Sequence, residues 1–323
     1  MDELDRKLLY EISERADEPR NKIAKKLRCS REVVDYRLKK LQKEGIITGF
    51  QARVNISNFV YGGYIFFIQS FGLNSESEKK VINKLKANKK IQYMGKLGGE
   101  YDFIIGFTIK KLSELSETID EINSAFGKNK SNQTLLTMVR EIKDSFKTIF
   151  SKNNEHNNIV SMPNINEKIK IDEVDKKILI PLGKNSNIPS WEIAEKVKIS
   201  DVAVRKRIEN LTKKRIILNF RTMIDLTKLN YQPYFLFIKI NPIDKKLEDK
   251  FIEFSKINKN ITYSMKIAGR YDYILTISVE NSKQLKEFIY DLKNKFSDII
   301  TEISISPLFE MIYHTQLAED FLE

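Results

Sequence analysis

Shifted against itself by 170 residues, the chain overlays residues 4–70 on 174–240 without a gap, with 19 identities in those 67 positions. Asp5/Asp175, Pro19/Pro189, Ile23/Ile193, Ala24/Ala194, Ser30/Ser200, Arg37/Arg207, Leu41/Leu211 and Phe50/Phe220 are among them. The register still holds at IQYMGKLGGEYDFI (91–104) over ITYSMKIAGRYDYI (261–274), and it reaches Phe126 over Phe296. Solenoid repeats have periods of about 20–50 residues, so a period this long marks a duplicated multi-domain module. Whatever fold one copy adopts is therefore used twice. The stretch between the copies, SKNNEHNNIVSMPNINEK (151–168), holds six Asn, one Pro and no strong apolar period. It reads as a linker, placed at 151–170.

The front of each copy is helical. In copy 1, Leu4, Leu8, Leu9 and Ile12 recur at helical spacing. Pro19 suits the start of a second helix that turns Ile23, Ala24 and Leu27 inward. Ser30 can cap a third, with Val34, Leu38 and Leu41 as its apolar stripe and Gly45 at its end. Two helices joined by a short turn, the second with a polar outer face, fit a helix-turn-helix over residues 1–48. A groove-reading helix needs donors and acceptors near its N-terminus for base edges, and cations further along for phosphates. Beginning at Ser30, the residues Arg31, Glu32, Asp35 and Tyr36 stand where base readers would, and Arg37, Lys39, Lys40 and Lys43 where phosphates would. The competing reading is a solvated mixed-charge face.

Copy 2 repeats the plan over 171–218. Ser200 caps the third helix, Val204, Ile208 and Leu211 form its stripe, and Asp201, Val202, Arg205, Lys206 and Arg207 lie outward. Pro181 and Gly183 fall in its first helix and predict a short or kinked one. Arg215 stands where copy 1 has Gly45, and Trp191 is expected to be partly buried packing. Cys29 aligns with Ile199, which suits a small buried apolar residue.

The back of each copy, 49–150 and 219–323, alternates strands and helices. Strands are expected at 64–71, 91–97, 101–109 and 134–142, with helices at 75–88 and 112–126. In copy 2 the strands fall at 234–240, 261–267, 271–279 and 299–306, and the helices at 245–257 and 282–296. The order β-α-β-β-α-β is ferredoxin-like. The fold class is thus α+β, with two winged or plain helix-turn-helix domains alternating with two ferredoxin-like sandwiches. One face of such a sheet carries helices. The other needs a cover, and two copies in one chain supply one for each other.

Lys and Arg number 56 against 44 Asp and Glu, a net charge of +12. That excess favours a polyanionic partner, nucleic acid first. One Cys excludes a disulfide framework and multi-cysteine metal sites, and no cofactor or metal is expected. There is no apolar run of membrane-spanning length and no signal-peptide core in MDELDRKLLYEISER, so a cytoplasmic protein without a membrane partner is expected. His156 lies in the linker, and His314 is placed in the tail.

Each copy resembles the Lrp/AsnC family of transcriptional regulators over nearly its full length. The matching pieces are LDRKLL, PRNKIAKKLRCS, VVDYRLKKLQKEGII and GGEYDFI in copy 1, and VDKKIL, PSWEIAEKVKIS, VAVRKRIENLTKKRII and AGRYDYI in copy 2. The resemblance implies double-stranded DNA as partner, a strand-like hinge, a ferredoxin-like effector and assembly domain, and assembly into homo-oligomers. It also implies an amino-acid-like or other small-molecule effector near the Gly-x-Tyr-Asp turns. Those turns here are Gly99, Tyr101 and Asp102, and Gly269, Tyr271 and Asp272. A structural reading is open beside it: Gly for a turn, Tyr packed, Asp tying backbone. Gly98 and Gly99 together would leave copy 1 more open to a ligand than copy 2, which has Ala268.

The fusion suggests a built-in pseudo-dimer reading an asymmetric site with two different helices. Two other readings stay open. Sirohaem decarboxylases share the architecture, but their turn region carries His and Trp, whereas GKLGGEYDFIIGF and MKIAGRYDYILTI have neither. Only Lys96, Lys266 and Arg270 offer cations nearby, and no other catalytic pattern appears, so no enzyme is expected. The last reading is a ligand-sensing or assembly protein whose helix-turn-helix units no longer bind DNA.

Overall fold

The computed structural model describes residues 1–55, 62–151, 169–241 and 244–315. Most of the expected linker, His156 and the acidic tail after Thr315 lie outside the described residues.

Copy 1 opens with α1 (Glu3–Ile12), α2 (Arg20–Leu27) and α3 (Arg31–Lys43), followed by β1 (Ile47–Val54). Its sandwich runs β2 (Gly62–Ser70), α4 (Ser75–Lys86), β3 (Ile91–Leu97), β4 (Phe103–Ile109), α5 (Glu114–Phe126), β5 (Lys130–Asp144) and the single turn α6 (Lys147–Phe150). Copy 2 gives α7 (Glu173–Lys184), α8 (Ser190–Val197), α9 (Asp201–Lys213) and β6 (Ile217–Ile224). It continues with β7 (Gln232–Ile240), α10 (Lys245–Ile257), β8 (Ile261–Ala268), β9 (Tyr273–Val279), α11 (Ser282–Phe296) and β10 (Ile300–His314).

The helical units follow from caps and stripes. Asp2 and Asp172 each form a capping box at the head of α1 and α7, while Ser30 and Ser200 cap α3 and α9. After α3, Gly45 takes φ +72°, and Arg215 takes φ +56° at the matching position, accepting the strain a side chain meets there. The helix containing Pro181 is not short: α7 has 12 residues against 10 in α1. Pro181 sits near its C-terminal end, where little helix remains to be disrupted. The capping box and the burial of Ile178, Leu179 and Leu182 hold the rest.

The two copies are stitched together twice. β1 and β6 pair antiparallel as a ribbon centred on Gln51↔Arg221, which are equivalent positions of the repeat. The ribbon crosses over: Ala52 and Val54 of β1 enter the core of the second helical unit, and Ile224 joins the core of the first. The eight sandwich strands close in the order β10-β3-β4-β2-β5-β8-β9-β7. β5 and β10 are 15 residues each, longer than expected, because each pairs in its own sheet and then with β8 or β3 of the other copy. The helix-free faces meet in a shared core of Ile65, Phe67, Ile104, Phe237, Ile267 and Ile274 among others. Phe67 and Phe237, equivalent in the repeat, touch edge to face at 4.9 Å.

Candidate nucleic-acid interface and inter-sheet site

The outer face of α3 presents Arg31, Glu32, Tyr36, Lys39 and Lys43 to solvent, with Ser30 exposed at its head. Asp35 is half-buried and bridges Arg31 at 3.5 Å and Arg20 at 3.9 Å. Ser30 spends its hydroxyl on the Val33 amide, at 3.3 Å. Two expected phosphate contacts turn inward. Arg37 donates to Asp2 and Asp5, the capping-box pair of α1, with Asp5 at 2.6 Å. Lys40 lies 3.7 Å from the same Asp5. Lys39 and Lys43 make no ion pair among the described residues and stay available to an anion.

In α9, Val202, Arg205 and Lys206 are exposed, as is Ser200, which caps through the Ala203 amide. Asp201 bridges Arg205 at 2.6 Å and accepts from the Ser190 hydroxyl at the head of α8. Arg207 repeats the role of Arg37, held by Asp172 at 2.7 Å and Asp175 at 2.8 Å. Trp191 is more exposed than expected: 57% of its surface is open to solvent, one residue from the Ser190–Asp201 contact at the start of α9. Its copy-1 equivalent is Asn21, so sequence gave no apolar partner by which to place it. Cys29 is half-buried against the first helical core.

The Gly-x-Tyr-Asp residues lie at the junction of the sheets. Tyr101 and Tyr271 are both buried, their rings tilted against Phe67 and Phe237 at 5.3 Å each. Asp102 accepts from the Ser70 amide at 2.6 Å, and Asp272 from the Ile240 amide at 2.9 Å, so each ties down the end of a neighbouring strand. Gly99 and Gly269 take φ +98° and +142°. The expected openness at Gly98 is filled. A Cβ there would lie 2.6 Å from the Phe309 ring and 3.0 Å from Pro307, both on β10. The nearby cations are engaged as well: Lys96 pairs with Glu78, Lys266 with Glu248 at 2.5 Å, and Arg270 with Glu100.

A polar cluster beneath the ribbon escaped the sequence reading. Arg53 on β1 is almost wholly buried and pairs with Glu141 and, at 3.5 Å, with Asp144. Arg221 on β6 donates to Asp144 at 2.5 Å. Burial opposes the charge on Asp144, but Arg221 and Arg53 outweigh it and hold the carboxyl below its ordinary range. His314 is not in a tail; it is the last residue of β10 and stands in this cluster. Burial, with Arg221 beside it, pushes its imidazole down to about 4. These residues line a cavity of about 440 Å³ between the sheets. A charged residue inside a strand-like run, as in ITGFQARV and ILNFRTMI, was the one available signal.

The fold and both capped third helices define a class of helix-turn-helix regulator. The AsnC-type helix-turn-helix domain matches residues 171–212, and the winged helix-turn-helix DNA-binding family matches residues 1–48. Transcriptional regulator AzlB of Bacillus subtilis is 30% identical over 126 residues, covering 38% of this chain and 79% of that regulator. HTH-type transcriptional regulator LysM of Sulfurisphaera tokodaii is 32% identical over 126 residues, covering 38% of this chain and 86% of that protein. Among solved structures, siroheme decarboxylase NirDL covers 99% of this chain and 96% of its own at a TM-score of 0.62 and 12% identity, a likeness of fold. The chain belongs to the Lrp/AsnC family of transcriptional regulators, here as two family units in one polypeptide. Among the described residues, no helix is long and apolar enough to cross a membrane.

Proposed function

We propose that the chain binds double-stranded DNA sequence-specifically as a single-chain pseudo-dimer and acts by binding rather than catalysis. The observation that carries this is the pair of capped, outward-facing third helices held by one crossed ribbon. Copy 1 reads bases with Arg31, Glu32, Asp35 and Tyr36 and meets phosphates with Lys39 and Lys43. Copy 2 reads with Asp201, Val202 and Arg205 and meets phosphates with Lys206. Arg37, Lys40 and Arg207 act by holding each third helix against its first. Because the two reading faces differ, the preferred site is asymmetric, with half-sites about one helical turn apart.

A small-molecule effector belongs to the same reading. The turns at Gly99, Tyr101 and Asp102, and at Gly269, Tyr271 and Asp272, are its expected seat. Their position at the sheet junction supports a signal passed between the copies. Association of several chains is part of the proposal. Binding to duplex DNA across a salt series tests it. Selective binding with a steep negative salt slope, about 0.9 per phosphate contact, is expected. Weak binding with no sequence preference and no salt dependence would overturn it.

A further inference from the structure

The turn between the second and third helix holds a left-handed residue in both copies. Arg28 takes φ +55° and ψ +44°, and Lys198, its equivalent in the repeat, takes φ +57° and ψ +44°. The backbone accounts for the conformation. The Arg28 amide donates to Ala24 and Lys25, and the Lys198 amide to Ala194; two residues on, Ser30 or Ser200 caps the next helix. It does not account for the side chains. Glycine takes this region freely and asparagine tolerates it, as Asn230 does at φ +62°, whereas a long side chain meets a steric cost there. Both copies nonetheless hold a cation, one as Arg and the other as Lys.

Neither cation is used within the fold. Both are exposed, and neither side chain makes an ion pair or hydrogen bond among the described residues. Their neighbours differ: Lys22 and Lys26 on α2 pair with Glu18, and Lys196 on α8 pairs with Glu192. A strained position that carries an unanswered charge points to a partner outside the fold. The cations already assigned to phosphates, Lys39, Lys43 and Lys206, stand from the middle of α3 and α9 to their C-terminal ends. A helix in the major groove runs between two phosphate backbones, and these cations leave the backbone beside its N-terminal end unanswered. Arg28 and Lys198 stand ahead of that end in each copy.

We propose that Arg28 and Lys198 are phosphate clamps, each gripping the DNA backbone beside the N-terminal end of its third helix. The inference rests on the regulator reading and adds two contacts to it. Phosphates carry no base sequence, so the clamps fix the register and orientation of each helix without adding preference.

Binding of the full chain and its variants to duplex DNA across a salt series tests this. Arg28→Gly and Lys198→Gly remove charge and strain together, so the melting temperature holds or rises. Each is expected to weaken binding about tenfold, on selected and random duplex alike. Each also lowers the salt slope by about 0.9, and the double variant by about 1.8. Arg28→Lys and Lys198→Arg keep the native slope. Lys128→Ala, which removes an exposed charge from the sandwich just after α5, leaves it unchanged. A native chain without salt-dependent binding would overturn the regulator reading and this proposal with it. A native slope that survives both glycine substitutions, or that falls equally for Lys128→Ala, would overturn this proposal alone.

Discussion

Glu100 and Arg270 occupy equivalent positions in the two copies and form an ion pair with each other across the sheet junction. Arg270 also donates to the Tyr101 hydroxyl at 3.1 Å and lies 3.8 Å from Glu302. In a dimer of identical units, the same residue would meet itself at this point. Here opposite charges meet, so the pair favours copy 1 against copy 2 over either copy against itself. Arg270→Glu should lower stability by about 0.5–1 kcal/mol, the modest scale of a partly exposed pair. Adding Glu100→Arg should restore most of it. A denaturant-melt double-mutant cycle checks this, and simple additivity of the two changes would contradict it.

The third helices separate residues that hold them from residues that face outward. Lys43→Ala should weaken binding to all duplexes alike and reduce the salt slope by about 0.9, with an unchanged melting curve. Arg37→Ala removes charged hydrogen bonds to Asp2 and to the buried Asp5, and should cost about 2 kcal/mol of stability. Melting curves and salt-series binding of both variants distinguish the roles.

Trp191 is the only tryptophan in the chain and is exposed beside the start of α9. Its fluorescence therefore reports on the second helical unit alone. Docking of that unit on DNA should shift its emission and shield it from an aqueous quencher. DNA binding that leaves both unchanged would mean the second unit stays off the duplex.

His314 gives a pH signature. Its folded value is about 4 against an ordinary 6.5, so between those values the unfolded chain binds a proton that the folded one does not. Its contribution to stability is intact above pH 6.5 and falls as the pH drops toward 4. The loss is at most about 1.4 kcal/mol per pH unit. His314→Gln should flatten the stability profile over that window. Urea melts from pH 7.5 to pH 4.5 on both proteins measure the difference.

Local signals were legible in sequence and non-local ones were not. Ser30, Val34, Leu38 and Leu41 announce α3 because cap and stripe lie within a few turns. The 15-residue length of β5 and β10 could not be read, since the extra residues pair with β8 and β3 of the other copy. The crossing of β1 and β6 escaped for the same reason. Arg53 and Arg221 look like ordinary outward charges on a strand until Asp144 and Glu141 arrive from β5. Trp191 departs from the expectation that a large apolar residue on a helix is covered, since more than half of its surface stays exposed among the described residues.

In the proposed function, one chain reads an asymmetric site with two unlike helices. Selection of bound duplexes from a random pool tests it most directly, with the native chain and with a variant exchanging the outer residues of α3 and α9. Two different half-sites about one helical turn apart are expected, and their order reverses in the exchanged variant. A palindrome, an unchanged order, or no enrichment would contradict it.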